Sequence, residues 1–368
     1  MIDTPAPRVE ALFVYPVKSL GGISVQSAGV EGRGFHFDRR FMLVDHGGQM
    51  ITQREENGLA RVTTAIDGDT LILGGEVRVP LVPDPISGKG LRVTVWSDVV
   101  RAQPVDDEGY FSSLLSRSVR LVYMPTERRR RVDGRYATKG HIVSFADGFP
   151  FVLVGRGSMD KLADELGAAL DVRRFRPNIV VAGMPAYGED ALGTFQLGDV
   201  AFRRVKPCSR CVIVDLDPDT GQSGGRVLKT LGKTRLRRRR MYFGQNLVGE
   251  GRGLVRVGDA LIASPLLPLR EQVERAPQGA AEVAARHGLG ENVAFGTAGA
   301  LHDDVGVGPH RRDDHRRERE QAPGAEVDAG RETQQAGSVC LVFCSVRERH
   351  PGEPIGVRDL EGGAPIVG

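Results

Sequence analysis

The sequence predicts an α+β protein that is mainly β, with a few helices and a disordered C-terminal tail. Three observations carry that expectation. Short apolar and β-branched runs recur through the first 270 residues with Gly or Pro between them, the pattern of small barrels and sandwiches. One strongly periodic helix interrupts them after Phe151. Near residue 270 the composition changes, since every lysine, tyrosine and methionine, and Trp96, lies before residue 243. The remainder is Gly, Ala, Arg, Asp, Glu, Val, Pro and His with weak apolar periodicity, too little to build a packed core. The expected organisation is a β-barrel-like domain over 1–125, a second β-barrel domain over 126–268 and a disordered tail over 269–368.

The elements follow in order. Val9 to Tyr15 is apolar and β-branched, and Pro16 ends it. Phe41 to Val44 is a second strand, closed by the turn Asp45-His46-Gly47-Gly48. Thr70 to Leu73, Glu76 to Val82 and Leu91 to Val95 continue the series. Phe151 to Val154 precedes the helix, for which Ser158 is the expected N-cap. Met159, Leu162, Ala163, Leu166, Ala169 and Leu170 recur on one face of it. Strands are expected at Ile179 to Ala182, Val200 to Val205, Cys211 to Leu216 and Leu254 to Val257, with Gln245 and Asn246 at a turn.

Bulk properties narrow the function. The chain has 368 residues, 40% hydrophobic and 26% charged, with a net charge of +3, as expected of a soluble globular protein. No apolar run approaches the ~20 residues of a membrane helix, so no membrane partner is expected. The N-terminus lacks a basic start and an apolar stretch, and four cysteines do not make a disulfide framework. A cytoplasmic location with free thiols is expected. Arginine clusters at Arg128–131 and Arg237–240. Such runs are solvated loops or attract an anionic ligand or nucleic acid. No aromatic residues interleave with them, so stacking on bases is not supported and no nucleic-acid partner is expected.

The chemistry-bearing motif is Lys206-Pro207-Cys208-Ser209-Arg210-Cys211, followed by Asp217-Pro218-Asp219-Thr220-Gly221. A structural zinc needs a second pair, and Cys340 and Cys344 in the tail have the wrong gap. A thioredoxin-like dithiol sits at a helix N-terminus, whereas this pair runs into Val212-Ile213-Val214, which reads as a strand. Two incidental buried thiols, or a single thiolate binding a soft transition metal, remain. Lys206 and Arg210 would favour the thiolate. Lys18-Ser19 at a strand end suits a phosphate, and Arg40 beside Phe41 to Val44 needs a partner. Arg174, Arg176 and Asn178 flank Pro177, where arginine forks can recognise anionic planes. Together these residues describe a cationic, amide-bearing pocket beside a thiol.

The same segments resemble a known family. Tyr15-Pro16-Val17-Lys18-Ser19-Leu20, Asp38-Arg39-Arg40-Phe41, Phe175-Arg176-Pro177-Asn178, the Cys208–Cys211 motif with its Asp-rich turn, Phe243-Gly244-Gln245-Asn246 and Arg256-Val257-Gly258-Asp259 occur in family order. They resemble MOSC-domain proteins with an N-terminal MOSC β-barrel domain, and among them the mitochondrial amidoxime-reducing component and its bacterial relatives. The resemblance implies a molybdenum cofactor, molybdopterin with molybdenum, with Cys211 as the protein ligand to the metal. It implies cofactor contacts at Lys18, Ser19, Arg40, Arg176, Asn178, Ser209 and Arg210. Gly148 and Phe149 fall in a further cofactor-lining segment, Asp147 to Pro150, through backbone contacts only.

The activity so implied is oxidoreduction, the reduction of small N-hydroxylated compounds with electrons from a separate flavin or iron–sulfur partner. The tail lacks the cysteines of a ferredoxin domain. The alternative is a MOSC-type sulfur carrier using a cysteine persulfide for cofactor or metal–sulfur chemistry. Pyridoxal phosphate is a family-level possibility, but no lysine here has a setting for a Schiff base. RNA binding through the arginine runs is the non-enzymatic reading.

Overall fold

The computed structural model describes residues 6–137 and 140–263. The tail expected over 269–368, with its histidines and Cys340 and Cys344, lies outside the described residues. Within them the fold is mostly strand, with three α-helices, Tyr110–Leu114, Arg156–Leu166 and Val227–Thr234.

The larger sheet orders its strands Ile23–Val25, Arg8–Val14, Ile179–Ala182, Phe151–Gly155, Arg240–Glu250, Val200–Arg210, Thr194–Leu197 and Ile262–Ala263. Leu236–Arg237 adds to it by pairing with Arg240–Glu250. A second sheet runs Phe41–Asp45, Val119–Tyr123, Asp98–Val105, Leu91–Val95. The pairing crosses the boundary expected near residue 125. Arg8–Val14 lies antiparallel to Ile179–Ala182, and Ser27–Glu31 pairs with Gly253–Arg256. The physical reason is burial. Val9, Leu12 and Val14 are apolar on the face that packs with Phe151, Phe195, Phe202 and Leu247, in one core. A second core joins Val17, Leu20, Phe41, Leu59, Leu71 and Phe111. Each fully buried side chain of this size is worth about 1.5–3 kcal/mol relative to exposure, so the first strand is held by the distant half of the chain.

Three expected elements differ. The run Val212-Ile213-Val214 is not a strand. Val212–Asp215 is a 3-10 turn with Cys211 extended at its N-cap. Val214 is buried with Phe175 and Phe243, while the Asp215 carboxylate accepts from the backbone N–H groups of Val227 and Leu228 at 2.7 and 3.0 Å. A short apolar run does not distinguish these outcomes. The helix is Arg156–Leu166, with Gly155 at its N-cap and Gly167 at φ +68° ending it. Ser158 is therefore inside the helix, donating to Glu189 Oε2 at 2.7 Å, and Ala169 and Leu170 lie beyond the helix. Gln245 and Asn246 lie in the strand Arg240–Glu250 rather than at a turn.

Candidate functional site

Two bulged strands and several loops meet around one cavity of about 560 Å³, a size that suits a cofactor. The strand Val200–Arg210 continues into the thiol motif, and its register against Arg240–Glu250 shifts twice, between Arg204 and Lys206 and between Pro207 and Ser209. Pro207 has no N–H to give to a ladder, and bulges are where strands admit proline. Opposite it, Gly244 sits at φ +70°, and a Cβ there would stand 2.6 Å from Leu153 O. The bulge therefore needs glycine. It leaves the Phe243 carbonyl to accept from Arg210 Nε at 2.8 Å, while Arg210 Nη1 donates to Phe175 O at 2.8 Å.

The loops are stitched to one another. Lys18 N donates to Phe41 O at 2.8 Å, Arg39 N to Tyr15 O at 2.7 Å, and Phe145 N to Arg39 O at 2.9 Å. This brings Lys18, Arg39 and Asp147 to one wall. The Lys18 ammonium donates to Phe145 O at 3.0 Å and to the Asp147 carboxylate. Burial pushes the Lys18 ammonium below its usual value, against the pull of Asp147. Desolvation works to raise Asp147, but Lys18, Arg54 and the Trp96 indole together hold it well below the carboxylate range. The two directions agree with position, since the cation is at the buried end and the carboxylate is 61% exposed to the cavity.

Of the residues expected at a site, Lys18, Ser19, Gly148, Phe149, Arg176, Asn178, Ser209, Arg210 and Cys211 all line this cavity. Arg40 does not. It is 4% exposed, and its guanidinium donates to Met124 O, Tyr123 OH and Thr126 Oγ1. Arg39 lines the cavity instead. Its φ of +48° turns the backbone, so consecutive arginines point to different surroundings. Arg39 is itself engaged through both terminal nitrogens, by both Asp38 oxygens at 2.8 and 2.7 Å, Asn178 Oδ1 at 3.1 Å and Arg176 O at 3.1 Å. Asn178, expected as a cofactor contact, lines the cavity with its amide already engaged. Its amide nitrogen donates to Phe13 O and Asp38, and its oxygen accepts from Arg39 and Val152 N, which spends both donors and both acceptor positions.

Arg54, Trp96 and Asp147 also line the cavity, though none of the three is among the contacts expected from the sequence. Arg54 Nη2 lies 3.2 Å from Cys211 Sγ and 3.7 Å from Asp147 Oδ2, with its guanidinium 4.4 Å over the Trp96 ring. Trp96 occupies the two-residue turn between Leu91–Val95 and Asp98–Val105 and donates its indole N–H to Asp147 Oδ1 at 3.2 Å. No local signal marks Arg54, since its partners are separated from it by much of the chain. A general sign does exist in the backbone. Ser19, Arg39, Trp96 and Arg176 all have positive φ and all line the cavity. Such non-glycine conformations cost about 1–3 kcal/mol each and concentrate at functional sites.

The two thiols are not equivalent. Burial pushes the Cys208 thiol up, and Arg210 and Lys206 only partly oppose this. Lys206 places its ammonium 4.2 Å over the Tyr136 ring. Cys211 instead meets the Arg54 guanidinium. The Asp-rich turn serves the wall. Asp217 accepts from Asp219 N and Thr220 N, and its other oxygen holds Arg174 Nη2 at 2.7 Å.

Eight cationic side chains line the cavity against one carboxylate, Asp147. Two guanidinium nitrogens, Arg176 Nη2 and Arg210 Nη2, are buried without a hydrogen-bond partner. Burial, with Arg39 beside it, pushes Arg176 down to about 10. Such groups are costly to leave unpaired, and both belong to arginines that line the cavity. Among the described residues no group of three or more His, Cys, Asp or Glu could hold a metal by itself. A metal at Cys211 would thus take its other ligands from outside the described side chains.

Two domain matches agree with this architecture. The MOSC N-terminal beta barrel domain matches residues 6–118 and the MOSC domain matches residues 140–262. The chain belongs to the MOSC family. Mitochondrial amidoxime-reducing component 1 of Mus musculus is 31% identical over 275 residues, covering 68% of this chain and 80% of that protein. The human protein of the same name is 31% identical over 274 residues, covering 68% and 81%. Molybdenum cofactor sulfurase of Oryza sativa subsp. japonica is 26% identical over 262 residues, 64% of this chain and 32% of that MOSC relative. No described helix is long and apolar enough to cross a membrane.

Proposed function

We propose that this MOSC chain binds a molybdenum cofactor through Cys211 and reduces small N-hydroxylated compounds. The observation that carries the reading is the cavity itself: two buried guanidinium nitrogens without partners, in a strongly cationic wall, beside one thiol. An anionic phosphorylated pterin fits that donor set, and the named relatives are amidoxime-reducing components. When bound, the cofactor supplies two-electron redox chemistry, so that N–OH with two electrons and two protons gives N–H and water.

The chain's own residues hold and exclude. Arg176 and Arg210, each with a buried Nη2 that has no partner, would turn these donors to anionic oxygens of the cofactor. The Ser209 hydroxyl is exposed at the same wall, and Gly148 leaves its backbone free of a side chain. Arg39 acts through Asp38 and Asn178 to fix the backbone at Arg176 rather than by giving donors of its own. Arg54 donates to Cys211 Sγ and so fixes the sulfur that would take a soft metal. Asp147 keeps Lys18 charged at the buried end.

The test is composition. The purified protein is expected to carry about one molybdenum per chain and to yield pterin fluorescence on oxidation. The second reading, a sulfur carrier, draws on both thiols lining the cavity and on the sulfurase relative. It would give persulfide sulfur and no molybdenum.

A further inference from the structure

The segment between Asp219 and Glu250 contains eight Lys or Arg and no Asp or Glu. Arg235 is buried against Asp190 at 2.7 Å. The rest of the charge faces outward, since Lys229, Lys233 and all of Arg237–Arg240 are exposed. Four of these arginines form one hairpin, Leu236–Arg237 pairing back on Arg240–Glu250. Its last arginine, Arg240, lines the cavity, so the exposed charge is continuous with the cavity wall.

Two apolar side chains interrupt this basic surface. Val212 is 52% exposed and Leu236 is 53% exposed. Met241 pairs with Arg210 on one side and with Leu236 on the other. Leu236 therefore lies about 10 Å across two strand spacings from Arg210, and Val212 is two residues beyond Arg210, directly after Cys211. Exposed apolar side chains set among charges are a feature of protein interfaces. The hairpin turn adds a second sign. Arg238 and Arg239 have φ of +46° and +62°, where Asn-Gly is the unstrained choice. The turn thus presents two charges at positions where an arginine backbone is strained.

We propose that this face docks a strongly acidic electron-carrier protein, which delivers electrons beside Cys211. The inference rests on the reductase reading above. Charge complementarity selects the partner class and steers a small, transient contact of the kind redox partners make. Two reduced carriers give up one electron each, and these with two protons convert one N–OH to N–H and water.

The experiment uses the full chain with reduced flavodoxin as the acidic probe. Arg238→Glu/Arg239→Glu reverses two charges, and Arg238→Asn/Arg239→Gly removes them while relieving the turn. Neither position lines the cavity. Both double variants are expected to weaken flavodoxin binding at low salt, the charge reversal at least about tenfold and the neutral pair less. Amidoxime reduction driven by flavodoxin falls in parallel, while reduction driven by dithionite-reduced methyl viologen is unchanged. Affinity is measured without turnover, so a wild type lacking molybdenum would sink the reductase reading and still leave the docking result legible. Equal flavodoxin affinity in wild type and both variants overturns the proposal. Binding of an RNA oligonucleotide that the variants lose, with no such loss for flavodoxin, overturns it in favour of a nucleic-acid surface.

Discussion

Arg128–131 and Arg237–240 are the same four-letter string, and the structure treats them in opposite ways. In the first, Arg130 is 5% exposed and acts as a strut. Its guanidinium binds Asp98 Oδ2 at 2.7 Å, Ser144 O at 3.0 Å, Asp147 O at 3.0 Å and the Ala146 carbonyl. That pins the 144–147 loop from which Asp147 faces the cavity. In the second, every arginine is exposed and two are strained. The difference follows from pairing. Arg130–Arg131 is a short strand against Ile142–Val143, so alternation turns Arg130 inward and leaves Arg131 out. The hairpin at 237–240 has no inner layer to receive a side chain. A charge run is thus not one feature, and its residues must be read singly.

Substitutions can break this contrast, beginning with the strongest. Arg130→Ala strands three loop carbonyls that it alone ties together, and it is expected to cost about 3 kcal/mol in urea denaturation. Arg131→Ala, next to it, is expected to stay within about 0.5 kcal/mol. The strand that follows the second run is as constrained as the run is free. Gly244→Ala adds a Cβ against Leu153 O at positive φ and is expected to cost about 2 kcal/mol, with loss of the Arg210 position.

Asp147→Asn probes what the strut serves. It leaves the Lys18 ammonium with Phe145 O and without its carboxylate, at a cost of about 1 kcal/mol, since the carboxylate opens to the cavity. The pH sign is fixed by the depressed Asp147 value. Its folded pKa lies below the unfolded value of about 3.9, so its stabilisation is whole above that and is lost only as pH falls through the folded value. Denaturation midpoints of the wild type and variant should therefore stay parallel from pH 5 to 8 and converge under acid. The smallest effect has the opposite sign. Arg238→Asn/Arg239→Gly suits the turn and is expected to raise stability by about 1 kcal/mol.

Much of the cavity was legible in the sequence because its residues arrive in compact motifs. Lys18-Ser19 ends a strand, Arg176 flanks a proline, and Ser209, Arg210 and Cys211 form one stretch. What was not legible depends on direction and on distance. Arg39 and Arg40 are adjacent, and only the left-handed backbone at Arg39 decides which reaches the cavity. Asn178 sits among anion-binding residues, yet its amide is consumed by Arg39, Asp38 and backbone groups. Arg54 reaches Cys211 from a loop 157 positions away in the chain, which no local pattern announces. The strand expected at Cys211 to Leu216 failed because four apolar or acidic residues fit a 3-10 turn equally well once Asp215 caps the helix Val227–Thr234.

The central claim is that Cys211, and not its neighbour, holds the metal. Molybdenum content in Cys211→Ala and Cys208→Ala, each against the wild type, tests it most directly. The account predicts metal near one per chain in the wild type and Cys208→Ala, and near zero in Cys211→Ala. Equal metal in both variants, or none in the wild type, would contradict it.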